Sequence, residues 1–324
     1  SPDCLVWTSG ATESDNLAII GGARYRAARG KHIVTMKTEH KAVTDAFEML
    51  ARSGFEVSWV EPGADGLLDP QDFAAALRKD TQLASIMFVN NETGVIQDIA
   101  ALGTICREHG VLFHVDAAQA VGKIHIDLQT LPVDLMSMTA HKCYGPKGIG
   151  ALYIADRPGC HVEPLLFGGG HHGRIRPGTL PTELIAGFGM AAEIAAGCID
   201  DDLAHLRSLR AILWRGISDV GGLTLNGHPH GFPGILNVSA DGVEGESLLL
   251  ALEPLLVATG SACNSKTQEP SYVLRALGRS DLQAQSAIRF SFGRPTTTTE
   301  VELAVGLYRD AVTRLRVLAP EAAA

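Results

Sequence analysis

Short apolar runs alternate with polar, helix-forming stretches along the first half of the chain. Runs rich in β-branched and large apolar residues predict buried strands, and the longer amphipathic stretches between them predict helices. Such alternation is typical of a mainly parallel sheet with helices on both faces. The predicted strands span residues 33–36, 56–60, 83–89, 111–115 and 133–138, with helices near 42–52 and 70–77.

The second half has a different pattern. Residues 182–220 are helix-rich, and they precede a strand at 234–239, a helix at 245–252, a strand within 281–294 and a final helix at 300–317. We place a domain boundary within the helix-rich segment. The sequence therefore predicts a large domain of residues 1–198 built on the parallel sheet, and a smaller α+β domain of residues 199–324. A chain of 324 residues is long enough for two such cores.

Charge and cysteine usage narrow the class of protein. A net charge of −9 argues against a general nucleic-acid-binding surface. The six cysteines have no C-x-x-C spacing, which favours a reducing compartment over a disulfide framework. The apolar helical stretch Leu184–Cys198 is shorter than the ~20 residues of a membrane span, and no signal peptide pattern is present. We expect a cytoplasmic protein without membrane or direct nucleic-acid partners.

Two of the predicted strands are followed by residues whose side chains can take part in catalysis. One apolar run leads to Asp116, and the run at 133–138 leads to Thr139 and Lys142. Parallel strands bring a carboxylate and an amine to the same edge of a sheet. Pyridoxal phosphate (PLP) requires such a pair, a lysine for covalent attachment and a carboxylate that keeps the pyridine nitrogen protonated. Asp116 could also be the N-cap of the following helical turn.

The segments around these residues, HVDAAQ (114–119) and SMTAHKCYGPKGIG (137–150), resemble the cysteine desulfurases of the NifS/IscS type. These belong to the class V aminotransferases, PLP-dependent transferases of the aspartate aminotransferase-like fold, fold type I. The resemblance extends along nearly the whole chain, in the family's order. The further matching segments are TSGATESDNLAI (8–19), TEHKAV (38–43), NNETGVIQ (90–97), RPGTLPT (176–182), LNVS (236–239), EGESLLLAL (244–252), GSACNS (260–265), EPSYVLRALG (269–278) and IRFSFGR (288–294).

The resemblance implies a complete PLP site. Lys142 carries the cofactor, Asp116 binds the pyridine nitrogen, and Gln119 binds the phenolic oxygen. His40 lies over the ring and assists proton transfer. The residues implied at the phosphate are Gly10, Ala11, Thr12, Thr139 and His141, with Thr179 from the second subunit of a homodimer. A turn that opens a helix suits an anion, although Gly10 to Thr12 could equally be a simple N-cap.

Two further groups concern the substrate. The resemblance makes Arg289 the anchor of the substrate carboxylate, and Asn91 a contact of both that carboxylate and the cofactor. A guanidinium suits this task because it binds a carboxylate bidentately. Cys263 lies in a polar, glycine- and serine-containing stretch, as expected for a reachable nucleophilic thiol. The other cysteines lie in apolar or unremarkable contexts.

The sequence thus predicts a cysteine desulfurase that converts L-cysteine to L-alanine and a persulfide on Cys263. The sulfur would pass to a protein acceptor in iron–sulfur cluster assembly, tRNA thiolation or DNA phosphorothioation. Selenocysteine lysis, another PLP reaction on the same fold, and an inactive sulfur-transfer scaffold remain alternatives. A scaffold would have lost Lys142, Asp116 or Cys263, and all three are present.

The chain departs from the family pattern in two places. Pro177 stands where the family usually has serine, and the further N-terminal segment that the family carries is absent from a sequence that starts at Ser1. Whether that segment was removed or never existed stays open. Arg174 and Arg176 add positive charge near Thr179. The pair His171-His172 lacks a neighbouring carboxylate or cysteine, so we expect no metal site.

Overall fold

The computed structural model describes residues 1–170, 174–259 and 269–318. Within these residues the chain divides into two compact units. The first unit contains residues 1–61, 68–90 and 97–199. The second contains residues 62–67 and 91–96 together with the chain from Asp200 onward. Two short excursions of the first half of the chain therefore belong to the second unit.

A seven-stranded sheet forms the centre of the first unit, in the order β1-β7-β6-β5-β4-β2-β3. Its strands are β1 (Leu5–Thr8), β2 (His32–Met36), β3 (Glu56–Val60), β4 (Thr81–Met87), β5 (Leu112–Asp116), β6 (Leu135–Thr139) and β7 (Gly150–Ile154). Neighbours from β3 through β6 pair in parallel, whereas β7 is antiparallel to both β6 and β1. The predicted mainly parallel sheet is confirmed, and the sequence pattern missed its edge pair β1 and β7.

The helices of this unit cover the sheet. They are α1 (Ala11–Asn16), which continues through a π-helical turn (Leu17–Gly21) into α2 (Gly22–Tyr25), then α3 (Lys41–Arg52), α4 (Pro70–Ala76), α5 (Ile99–Glu108) and the first part of α6 (Thr182–Ile217). All residues of β2, β4 and β5 are buried. Burial on both faces explains why these strands do not alternate between buried and exposed positions, and why their polar residues, such as Thr35, Ser85 and His114, are buried as well.

The second unit is built on a smaller antiparallel sheet of order β10-β11-β9-β8. Its strands are β8 (Leu223–Leu225), β9 (Ile235–Ala240), β10 (Ala258–Thr259) and β11 (Ile288–Ser291). The helices are the rest of α6, α7 (Gly245–Ala251), α8 (Tyr272–Ala276), α9 (Asp281–Gln285) and α10 (Thr298–Leu318). Leu213, Leu236 and Tyr308 are fully buried in its core. The expected α+β architecture is observed.

Helix α6 is longer than the sequence pattern suggested. Its 36 residues run without a break through Asp200, Asp201 and Asp202, where no proline ends the helix. The stretch Thr182–Val220 is therefore long and apolar enough to cross a membrane by length and composition alone, with 22% of its most apolar window buried. The buried positions recur every three or four residues, at Phe188, Ala191, Ala195 and Ile199. This spacing is that of a helix packed along one face.

Candidate active site

The ends of β5 and β6 lie side by side in the first unit. Asp116 pairs with Ser137 across the two strands, and Thr139 ends β6 two residues later. The Asp116 carboxylate is buried and accepts a hydrogen bond from the backbone N–H of Ala118 at 2.9 Å. Asp116 therefore does cap the turn that follows, as the alternative interpretation expected. A carboxylate has further acceptor sites, so the cap does not preclude a role toward a cofactor.

Lys142 lies in a 3₁₀ turn (Ala140–Cys143) that directly follows β6. Tyr144 ends this turn with a left-handed backbone, φ 64°. The Lys142 ammonium acts on its surroundings, because its charge lowers the pKa values of both His40 and Asp15. Asp116 acts on the same two groups with the opposite sign. The structure therefore brings Lys142, Asp116 and His40 into one electrostatic neighbourhood.

His40 is the N-cap residue of α3. Its Nδ1 atom accepts a hydrogen bond from the backbone N–H of Ala42 at 3.1 Å. Since Nδ1 is the acceptor, the neutral ring carries its proton on Nε2. Burial lowers the pKa of His40, and the effects of Asp116 and Lys142 oppose each other. His40 is therefore a neutral imidazole at neutral pH, a form able to donate a proton from Nε2 and able to be reprotonated.

The predicted phosphate-binding residues come from two neighbouring segments. Gly10 is the N-cap residue of α1 and has an extended, positive φ of 156°. A side chain at Gly10 would point toward the Oγ1 atom of Thr139, 3.8 Å from its Cβ. The Thr139 hydroxyl also lies 3.0 Å from Nδ1 of His141. Helix-terminal N–H groups beside hydroxyl and imidazole groups are suitable donors for a phosphate.

An ion pair fixes the start of α1. Arg176 donates to the Glu13 carboxylate at 2.8 Å, and the backbone N–H of Ser9 donates to the same carboxylate at 2.7 Å. Burial acts to raise the pKa of Glu13, but the bonds from Arg176 and Ser9 outweigh it and leave the pKa lowered. The pair holds the segment that precedes Thr179 against α1. The positive charge that Arg176 was expected to add near Thr179 is paired with Glu13.

Two buried carboxyl groups near Asp116 were missed by sequence reasoning. Asp15 and Glu39 are 1% and 0% exposed. Burial raises both pKa values, and the charge of Asp116 raises each further. The nearest imidazole to Asp15 is His114, at 3.7 Å, whose own pKa burial lowers to about 3. Asp15 and Glu39 therefore tend toward their neutral forms, which leaves less negative charge around Asp116.

The remaining predicted cofactor ligands of this unit are Gln119 and Thr179. The amide oxygen of Gln119 accepts a hydrogen bond from Lys123 within the turn after β5. Thr179 is exposed. Lys147 is exposed as well. A signal for the missed acids was available, because Asp15 and Glu39 lie within the matching segments at 8–19 and 38–43.

The predicted substrate ligands Asn91 and Arg289 belong to the second unit. Arg289 donates from one terminal nitrogen to the backbone carbonyl of Asn91 at 2.9 Å. Its Nε atom is buried, and no described residue accepts a hydrogen bond from it. A half-buried guanidinium whose buried Nε donor is unused is well suited to a carboxylate ligand. The structure therefore joins these two residues 198 positions apart in sequence.

Cys263 lies outside the described residues, as do His171 and His172. The five described cysteines are free. Burial raises the pKa values of the Cys106 and Cys143 thiols, and that of Cys160 to about 12. A raised pKa makes a thiol a poor nucleophile at neutral pH. Among the described residues no group of three metal-ligating side chains is present.

The donor set as a whole fits PLP. A lysine and a carboxylate at the ends of adjacent strands match the aldehyde and pyridine ends of the cofactor. The helix start at Gly10, with Thr139 and His141 beside it, offers donors for the phosphate. The residues concerned lie at the ends of β5 and β6, in the turn after β6 and at the N-terminus of α1, which all belong to the first unit.

Comparison with known proteins identifies the family of the chain. A family model described as aminotransferase class-V matches residues 1–303. The cysteine desulfurase IscS of Methylococcus capsulatus is 55% identical over 320 residues, which cover 98% of this chain and 79% of that protein. A solved NifS-like protein superposes with a TM-score of 0.89 at 33% identity, over 97% of this chain and 84% of the other. A structure of SspA in complex with cysteine gives a TM-score of 0.79 at 35% identity, over 92% and 83% of the two chains.

Proposed function

The chain belongs to the class V aminotransferase family, and from this we propose that it is a PLP-dependent cysteine desulfurase that converts L-cysteine to L-alanine. The observation that carries the proposal is the neighbourhood of Lys142, Asp116 and His40 at one edge of the sheet. The cysteine desulfurase relatives, at about 55% identity, support the choice of reaction. The complex of SspA with cysteine supports the choice of substrate.

We propose that the first unit, of residues 1–61, 68–90 and 97–199, is the PLP-binding domain, and that the second unit is the small domain. When bound, PLP supplies an electron-withdrawing ring that stabilises negative charge at the substrate Cα. Lys142 is proposed to hold it covalently, Asp116 at the pyridine nitrogen and Gln119 at the phenolic oxygen. The proposed phosphate ligands are Gly10, Ala11, Thr12, Thr139, His141 and, from a second subunit, Thr179.

The other steps of the proposed reaction use side chains of the protein itself. Arg289 and Asn91 would bind the substrate carboxylate, and the Lys142 amine would take the proton from Cα. His40 exchanges a proton through Nε2, because its Nδ1 is engaged by Ala42. The Cys263 thiolate forms an S–S bond with the substrate sulfur while the Cβ–S bond breaks. Protonation of the remaining carbon skeleton yields alanine and leaves a persulfide on Cys263.

We further propose a homodimer. The solvent-facing side of the first part of α6 carries Met190 and Ile194, which are 56% and 48% exposed. Small residues, Gly189 and Gly197, lie on the same helix. An exposed apolar helix face of this length suits a second copy of the chain. In a dimer the exposed Thr179 would have a neighbouring subunit whose cofactor phosphate it could bind. Contact with a second copy would also explain the exposed apolar residues of α6 without a membrane.

The sulfur acceptor is proposed to be a protein of iron–sulfur cluster assembly, tRNA thiolation or DNA phosphorothioation, in the cytoplasm. The deciding experiment measures alanine and sulfide from L-cysteine by the PLP-loaded protein in the presence of dithiothreitol. L-Selenocysteine is assayed in parallel, because a selenocysteine lyase would act on it and spare cysteine. A protein that takes up no PLP, or that releases no alanine, would contradict the proposal.

A further inference from the structure

Asn237 and Arg289 are direct neighbours in the small sheet of the second unit. They lie opposite each other on the antiparallel strands β9 and β11, so their side chains share one face of the sheet. The Arg289 guanidinium donates to the backbone carbonyl of Asn91 at 2.9 Å, and the Asn237 amide donates to the backbone carbonyl of Glu92 at 3.1 Å. Two cross-strand neighbours therefore hold two consecutive carbonyl groups of one segment.

Asn226, which directly follows β8, holds the Asn237 amide in turn. Its Nδ2 atom donates to Oδ1 of Asn237 at 2.8 Å and to the Ser239 hydroxyl at 2.7 Å. The Ser239 hydroxyl donates to the backbone carbonyl of Gln283 at 2.7 Å. Asn226, Asn237 and Ser239 are at most 1% exposed. Because these polar groups are buried, each needs its protein partner.

Arg279 forms the outer end of this network. Its Nε atom donates to Oδ1 of Asn226 at 2.9 Å. Arg279, Asn226 and Asn237 thus form a donor chain that ends at the Glu92 carbonyl. An arginine can only donate and a carbonyl can only accept, so the donor chain has one possible direction. Neither amide can flip without placing two donors or two acceptors against each other.

The donor chain limits where Arg289 can point. A guanidinium is planar and its donors have a fixed geometry, so the bond to the Asn91 carbonyl sets the direction of the remaining donors. That carbonyl is held in place because the next one, of Glu92, is bound by Asn237. The buried Nε donor of Arg289, which no described residue accepts, is therefore presented in a defined direction.

We propose that Arg279, Asn226 and Asn237 are positioning residues that orient Arg289 toward the carboxylate of the substrate. The proposal rests on the proposed function, in which Arg289 and Asn91 bind that carboxylate. The donor chain acts through the backbone of residues 91–92 and not by contact with the substrate. It contributes to the preference for an α-amino acid over an amine that lacks the carboxylate.

The test compares two ligands of the PLP-loaded protein, L-alanine and ethylamine, in which hydrogen replaces the carboxylate. Absorbance titration of the cofactor gives a dissociation constant for each ligand. Arg279→Met removes the first donor and keeps an unbranched side chain. We expect it to weaken L-alanine binding by roughly 3- to 10-fold, the scale of one net hydrogen bond, and to leave ethylamine binding unchanged. Arg279→Lys keeps a donor and should recover part of the loss.

Two control variants separate positioning from stability. Arg275 on α8 is exposed and pairs with Asp281, so Arg275→Met makes the same chemical change outside the donor chain and should bind both ligands like wild type. Ser239→Ala removes a buried bond of Asn226 that is not part of the donor chain. It should lower the midpoint of thermal unfolding but keep the wild-type ratio of the two dissociation constants.

The outcomes distinguish the donor chain from the proposed function. An unchanged ratio in Arg279→Met, with alanine still released from cysteine, would overturn the positioning role alone. An equal change of the ratio in Ser239→Ala and Arg279→Met would assign the effect to general destabilisation and would also overturn it. A selective loss of L-alanine binding in Arg279→Met, in a protein that releases no alanine from cysteine, would support the positioning role and contradict the proposed function.

Discussion

The Nδ1 atom of His40 accepts a hydrogen bond from the backbone N–H of Ala42, so His40 caps α3 through Nδ1. This contact leaves Nε2 for the second task that we propose for His40, the exchange of a proton. Asparagine is an equally good N-cap but cannot exchange a proton, whereas alanine can do neither. The two substitutions therefore distinguish structure from catalysis at this position.

We expect His40→Asn to keep the wild-type midpoint of thermal unfolding and to lose roughly 10²-fold or more in alanine release, the usual contribution of a general acid or base. His40→Ala should lose the same activity and about 1 kcal/mol of stability as well. Because burial lowers the pKa of His40, activity that depends on the neutral ring should persist below the ordinary histidine value. Full activity of His40→Asn would show that His40 acts only as the N-cap of α3.

Lys142→Ala should abolish covalent attachment of PLP while the fold is retained. The amine is the group that reacts with the aldehyde, so borohydride treatment of wild type should add the cofactor mass to the peptide that contains Lys142. The control is Lys147→Ala, which removes an exposed amine five residues away and should keep both the adduct and the activity. An adduct on another lysine would show that PLP is attached to that residue and not to Lys142.

Asp116→Asn should keep PLP bound and reduce alanine release by on the order of 10²-fold or more, since a neutral amide cannot hold the pyridine nitrogen protonated. The substitution preserves an acceptor for the N–H of Ala118, so the turn after β5 should stay intact. Absorbance spectra, circular dichroism and alanine release are measured on one preparation. Near-normal turnover would show that Asp116 acts only as a cap.

Cys263→Ser should bind PLP and cysteine but form no persulfide, because a hydroxyl barely ionises at neutral pH. Peptide mass after exposure to cysteine locates the added sulfur in wild type. Cys198→Ser, a half-buried cysteine on α6, is the control and should keep the persulfide at Cys263. Sulfur found on another cysteine, with Cys263 unmodified, would reassign the nucleophile.

Arg176→Gln should destabilise the first unit by about 1 kcal/mol at neutral pH, the scale of a partly exposed ion pair. Glu13 has a folded pKa below its ordinary value of 4.5. Its contribution is therefore fully present above that value and is lost as the pH falls through the folded pKa. Urea unfolding at neutral and at acidic pH should show a difference between variant and wild type that shrinks in acid. A difference independent of pH would assign the loss to packing.

The sequence by itself determined the parallel part of the large sheet. The strands β2, β4 and β5 are buried on both faces and rich in apolar residues, so the end of each could be located to within two residues. The position of Asp116 and Lys142 at one sheet edge followed from that pattern alone. The family resemblance, confirmed by the match over residues 1–303, then supplied roles that periodicity could not.

Only the tertiary structure decided which distant polar groups contact one another. Glu13 and Arg176 are 163 positions apart and Glu92 and Ser271 are 179 apart, yet each pair is within 3 Å. No local pattern encodes such a pair, because each side chain is polar and unremarkable among its own neighbours. The same holds for Asp15 and Glu39, whose pKa values depend on burial and on the charge of Asp116. Local sequence sets hydrophobic periodicity, but burial and Coulomb interactions depend on the three-dimensional positions of groups that the fold brings together.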